Sequence, residues 1–167
     1  LINYSSVDFI NIIPKGTNLF ITQSAIEHFD FDIDYFKQIR DFIKSSNNNI
    51  IQIHLFPSPP SLWLYFCHGV RQYNMRSVQK IIELFNDSKT YSVIYPLGGI
   101  NSYNYHLRKI TIPRYILKSK KKYSEYEKNK YFYGAKGSII KDINKHTWEN
   151  ASFCALVMHS NYKNKIF

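Results

Sequence analysis

Two serines bracket a pair of prolines in Phe56-Pro57-Ser58-Pro59-Pro60-Ser61, directly after the apolar run Ile50 to Phe56. Proline is accepted where no backbone N–H is needed, and the first turn of a helix is such a place. Ser58 therefore reads as an N-cap, Pro59 and Pro60 as the opening of a helix, and Ser61 as part of its first turn. A helix start at the carboxyl end of a parallel strand carries free N–H groups and a partial positive charge, which suits phosphate. The prolines remove two donors that a glycine-rich loop would supply, so the hydroxyls of Ser58 and Ser61 have to contribute. Neither GxxxxGK[ST] nor GxGxxG occurs in the chain. Around this turn, His54 reads as a core histidine or a ligand contact. Trp63, Tyr65 and Phe66 read as core packing or, for one of them, as a base-stacking ring. Gly69 closes the helix, and Arg71 and Arg76 beyond it either reach an anion or sit in water.

Other reactive arrangements are incomplete. Asn150 and His159 have the spacing found on the last helix of HNH nucleases, but 132–136 reads FYGAK where the general-base His belongs. Asp30, Asp32 and Asp34 fall where carboxylates complement a helix dipole. Cys67 and Cys154 are two scattered thiols without a CxxC, better read as small buried hydrophobes in a reducing cytoplasm than as zinc ligands. No GxSxG is present. No catalytic residue, metal or cofactor is assigned. If the chain were an enzyme, it would be a metal-dependent nuclease.

The elements that must position these residues begin with a strand at 17–25, after the breaker Pro14-Lys15-Gly16. Apolar residues at 35, 36, 39, 42 and 43 predict a helix over 32–46, with acidic residues first and Lys44 in the last turn. Ile50 to Phe56 comes next, as a strand of the kind buried in a parallel sheet. Strand, helix and strand form a right-handed βαβ unit. The expected fold class is α/β, a Rossmann-like or CARF-like three-layer core. A hairpin pairing 78–85 with 90–97 closes that core, and Gly98-Gly99 ends it. Beyond, 106–117 reads as a strand with an edge proline, 118–136 as a lysine/tyrosine run, and the segment from Thr147 as a C-terminal helix. The domain reading is a core over 1–100 and a basic α+β extension over 101–167.

Charge divides at the same boundary. Residues 1–100 hold 8 Lys/Arg and 8 Asp/Glu, whereas 101–167 hold 14 and 4, so the whole net charge of +10 lies in the last 67 residues. An acidic partner is implied, nucleic acid or a phosphate-rich ligand first; the plainer reading is a solvated lysine-rich surface. At 167 residues with 44% hydrophobic and 17% aromatic content, the chain can bury a core without staples. No apolar run approaches a membrane span, so a soluble cytoplasmic protein without a membrane partner is expected.

The succession IHLFPSPPSLWLYFCHG and then VQKIIELFNDSKTYSVIYPL resembles the C-terminal half of SAVED domains, with coverage over about residues 32–97. Glu83-Leu84-Phe85 and Thr90-Tyr91 stand where that family has an acidic-aromatic pair and a Tyr-containing second hairpin strand. The resemblance implies a CARF-related sensor of cyclic oligonucleotides in bacterial antiphage signalling, in which ligand drives assembly and switches on an effector. It also implies a homo-oligomer or an effector subunit. A full SAVED domain has two CARF-like units and this chain has room for one, so a complete ligand site would take a second chain. The expected contacts are Ser58, Ser61, Trp63, Arg71, Arg76 and His54. The alternative is a nucleic-acid-binding protein or HNH-like nuclease using the basic C-terminal region.

Overall fold

The structure, a computed structural model, describes residues 9–65, 71–118, 124–145 and 147–164. The chain divides into two compact units. The first takes residues 1–56, 73–95 and 155–167, and the second takes 57–72 and 96–154. This differs from a boundary at residue 100. The segment carrying the proline turn belongs with the basic region, and residues 155–164 belong with the core.

Four strands, β1 (Leu19–Gln23), β2 (Ile50–Pro57), β3 (Thr90–Leu97) and β4 (Phe153–Ser160), form one sheet in the order β1-β2-β4-β3. β1 and β2 are parallel, with Leu19 opposite Ile51 and Gln23 opposite Leu55. Helix α1 (Asp32–Ser45) joins them, so the expected βαβ unit is present. The remaining pairs are antiparallel. Ser58 N–H at the end of β2 donates to Ser152 O before β4 (3.3 Å), and Asn161 N–H after β4 donates to Lys89 O before β3 (3.1 Å). The fold is thus mixed α/β with a mixed four-stranded sheet.

In the first unit, α1 buries Phe36, Ile39, Phe42 and Ile43, the spacing that predicted it. Its Phe36 ring meets His54 of β2 edge-on at 4.9 Å, and Phe42 meets Phe20 of β1 at 5.8 Å. Asp32 and Asp34 do lie in the first turn of α1. Asp32 is buried and accepts the Tyr73 hydroxyl (2.6 Å), while Asp34 pairs with Lys37 in solvent.

Three expected elements are corrected. Residues 78–85 are not a hairpin strand. Met75–Glu83 is helix α2, started by Asn74, whose side chain accepts Ser77 N–H (2.9 Å). Val78, Ile81 and Phe85 are buried at intervals of three and four, a helical period that the β-branched residues obscure. The hairpin implied by the SAVED resemblance is therefore a helix followed by β3. Residues 107–116 are not an edge strand either. They are π-helix continuing from α3 (Ile100–His106), and Leu117 N–H reaches back five residues to Ile112 O (3.0 Å). Pro113 has no N–H to return, and the wider turn carries it. Finally, the segment from Thr147 is a turn leading into β4, not a helix. Asn150 Oδ1 accepts Thr147 N–H (2.8 Å), and the strand is buried on both faces, which erases any alternation.

The second unit rests on α3, the π-helix and α4 (Glu125–Asp142). α4 opens with a capping box: Ser124 Oγ accepts Glu127 N–H (3.2 Å) and Glu127 Oε2 accepts Ser124 N–H (2.9 Å). Its far end is tied to α3. The Asp142 carboxylate accepts the N–H of Asn101 (3.1 Å) and Ser102 (2.8 Å), the Asn101 amide (2.8 Å) and the Ser102 hydroxyl (2.7 Å). A Cβ on Gly99 would stand 2.9 Å from Asp142 Cγ, so the close approach needs glycine. Gly98 adopts a φ of +72°, the left-handed region.

Candidate functional site

The proline turn does not hold the arrangement expected of it. Pro59–Trp63 is a five-residue 3-10 turn, and Phe66, Cys67, His68 and Gly69 lie outside the described residues. Ser58 and Ser61 are completely buried. Ser58 Oγ donates to Ala151 O, Ser61 Oγ donates to Ser58 O (2.6 Å), and Ser61 N–H also bonds Ser58 O (2.9 Å). Pro59 and Pro60 lack N–H groups, and both serine hydroxyls expected to contact an anion already donate to backbone carbonyls. Ser58 and Ser61 form an internal clasp between 57–61 and 151–152.

The other expected contacts scatter between the units. His54 is a fully buried residue of the first unit. Its Nε2–H donates to Gln52 Oε1 (3.2 Å), which leaves Nδ1 to accept the Thr22 hydroxyl (2.9 Å). Burial lowers its pKa to about 3, so the ring is neutral. This is the core reading of His54. Arg76 is exposed on α2 of the first unit. Arg71 and Trp63 are exposed in the second, Trp63 at 65%. Asn150 lies in a turn, and His159 sits on β4 beside Tyr91 (5.5 Å) and Tyr162 (5.4 Å). No helix carries the two, and the HNH arrangement is absent among the described residues. Cys154 is a buried thiol whose pKa burial pushes up to about 12. No cluster of three or more His, Cys, Asp or Glu suited to a metal ion occurs among the described residues.

The second unit does gather polar and cationic groups. Its segments hold 13 Lys/Arg against 4 Asp/Glu, a net of +9. One cleft of about 400 Å³ is lined by Asn101, Asn104, Tyr105, Arg108 and Lys109 from α3 and the π-helix, and by Ser138 and Lys141 from α4. Positions 101, 104, 105 and 108 share one helical face, as do 138 and 141. Reading 106–117 as a strand hid that face. Arg108, Lys109 and Lys141 are exposed. Tyr105 is fixed by a glycine, since a Cβ at Gly134 would overlap its hydroxyl and ring, and its ring lies 5.6 Å from Tyr131. The cleft thus offers three cations, the Asn104 amide and the Tyr105 hydroxyl as a donor set for an anion, while the Ser138 hydroxyl donates to Gly134 O (2.9 Å) and the Asn101 amide to Asp142.

No protein-family model and no curated protein matches this chain. Among solved structures, it is similar to the plantazolicin methyltransferase BamL in complex with a triazolic desmethylPZN analog and SAH, at 7% identity and a TM-score of 0.47. That match covers 93% of this chain and 57% of the methyltransferase, so the chain spans little more than half of that protein's length. No helix among the described residues is long and apolar enough to cross a membrane.

Proposed function

We propose that this chain is a non-catalytic binder of a phosphate-bearing nucleotide, held through the basic cleft of its second unit. The reading is supported above all by the convergence of Arg108, Lys109 and Lys141 on one cleft with Asn101, Asn104, Tyr105 and Ser138. Guanidinium and ammonium groups bind phosphate oxygens through charge-assisted hydrogen bonds, and amides and hydroxyls add direction. Cyclic oligonucleotides, the class implied by the resemblance of residues 32–97, are the first ligands to try. In that setting the chain serves as a sensor that assembles with further copies or with an effector.

A second reading is favoured by α4. Tyr126, Phe132 and Tyr133 are exposed along it, among Lys128, Lys130 and Lys136. Lysines interleaved with open aromatic rings suit single-stranded nucleic acid, whose bases stack while its phosphates pair. A thermal-shift panel separates the two. Cyclic di-, tri- and tetranucleotides are set beside linear DNA and RNA, because a ligand specific to the native state raises its melting temperature. The cleft reading expects a shift with at least one cyclic ligand. Shifts with linear strands alone, falling steeply with salt, favour the α4 reading and count against the first.

A further inference from the structure

We infer that the second unit carries a pocket for a planar heteroaromatic ring of the nucleobase class, walled by Tyr65 and Phe153 and read by His106. The choice of a nucleobase among planar rings rests on the nucleotide reading above; the pocket itself does not. It is a cavity of about 400 Å³ whose lining includes Leu64, Tyr65, His106, Tyr131, Ser152 and Phe153. That volume lies within the range of small-molecule sites, and a mostly apolar wall with a few convergent polar atoms is their usual chemistry.

Three observations give it direction. Tyr65 and Phe153 meet edge-on at 5.9 Å, and Tyr65 tilts against His106 at 6.0 Å, so aromatic surface bounds the cavity. The Tyr131 hydroxyl lies 2.8 Å from His106 Nδ1 and has no other hydrogen-bond partner among the described residues. With the Tyr131 O–H donating to Nδ1, the neutral imidazole, whose pKa burial lowers, keeps its own proton on Nε2. Nε2–H has no acceptor among the described residues, and His106 and Ser152 both line the cavity. A ring presenting a carbonyl or ring nitrogen satisfies Nε2–H and gains a hydroxyl partner in Ser152. Tyr65 and Phe153, themselves in edge-on contact, offer it aromatic surface. A purely apolar ring would leave both polar atoms unpaired.

The test uses adenosine, guanosine, cytidine and uridine, which carry a base without phosphate, titrated into the intact protein while the ¹⁵N resonances of the His106 imidazole are followed. Tripolyphosphate, which carries phosphate without a base, is titrated in parallel to read the basic cleft. At least one nucleoside is expected to shift Nε2 saturably. His106→Phe, which removes the Nε2 donor, is expected to weaken binding about fivefold or more, the worth of one hydrogen bond, and Ile139→Phe, at a half-exposed position on the cavity wall, to weaken it by filling the cavity. The wild-type titration stands even if a variant folds poorly. No Nε2 shift with any nucleoside, or unaltered binding by both folded variants, overturns the pocket. A response to tripolyphosphate with none to nucleosides rejects the pocket while leaving the cleft reading standing, and the reverse rejects the cleft.

Discussion

Lowering the pH from 7.5 to 5.0 sets the buried position of His54 against the ordinary basicity of imidazole. In the unfolded chain the ring titrates near 6.5, whereas in the fold it stays neutral down to about 3 because no water reaches it. Between those values the unfolded state binds one more proton, so stability rises with pH and is lost as pH falls below 6.5. At pH 7.5 the linkage is nearly nil, and at pH 5.0 it reaches about 2 kcal/mol for this single group, from a slope of about 1.4 kcal/mol per pH unit. Burial also lowers the pKa of His106 and His159, and burial raises that of Glu27 against the milder pull of its own backbone hydrogen bond and His28. Wild type alone therefore mixes several titrations. Urea unfolding of wild type and His54→Gln at both pH values isolates the one residue. The variant is expected to be less stable at pH 7.5, because Thr22 and Gln52 lose a fitted partner, and to lose about 2 kcal/mol less than wild type on acidification. Equal losses in the two proteins would mean that His54 protonates within the fold, and the core reading of this residue would be refuted.

Three further outcomes rest on particular contacts. Asp142→Asn removes the charge on which four donors converge at the start of α3 and is expected to cost about 1–3 kcal/mol in urea unfolding. Although burial works to raise the Asp142 pKa, the bonds from Ser102 and Asn101 together hold it below the usual carboxylate value. Its stabilisation is thus present above pH 4 and lost only as the pH falls through the folded pKa, outside the His54 window. Gly134→Ala drives a methyl into Tyr105. It is expected to reduce ligand binding at the basic cleft, with a change in Tyr105 ring resonances by NMR. Ser58→Ala strands the Ala151 carbonyl and should lower stability by about 1–3 kcal/mol, leaving the affinity of any cleft ligand within about twofold; a selective loss of affinity would restore Ser58 as a contact.

The parts legible in the sequence were those set by local pattern. The helical spacing of Phe36, Ile39, Phe42 and Ile43 and the apolar run from Ile50 gave the βαβ unit, and the acidic first turn of α1 was expected from the helix dipole. Where patterns overlapped, local reading failed. Val78-Gln79-Lys80-Ile81-Ile82 satisfies strand composition and helix period alike, and only burial against the core decides for the helix. β4 lost its alternation by being covered on both faces. The capping box Ser124-Glu125-Tyr126-Glu127 was readable and would have placed the start of α4. The burial of Ser58 was not, because its partner Ala151 lies 93 residues away. The basic cleft was hidden for a related reason. Asn101, Asn104, Tyr105 and Arg108 form a face only if the helix continues through His106 toward Pro113, where proline argued for its end.

The most direct test of the basic cleft is a comparison of two double charge reversals by isothermal titration with whichever cyclic nucleotide stabilises the wild type. Arg108→Glu/Lys141→Glu alters the cleft, and Lys128→Glu/Lys130→Glu makes the same change in net charge elsewhere on α4. Loss of affinity by about tenfold or more in the first, with the second within about threefold of wild type, is the predicted result. Equal losses in both would trace binding to overall charge rather than to the cleft and contradict the account.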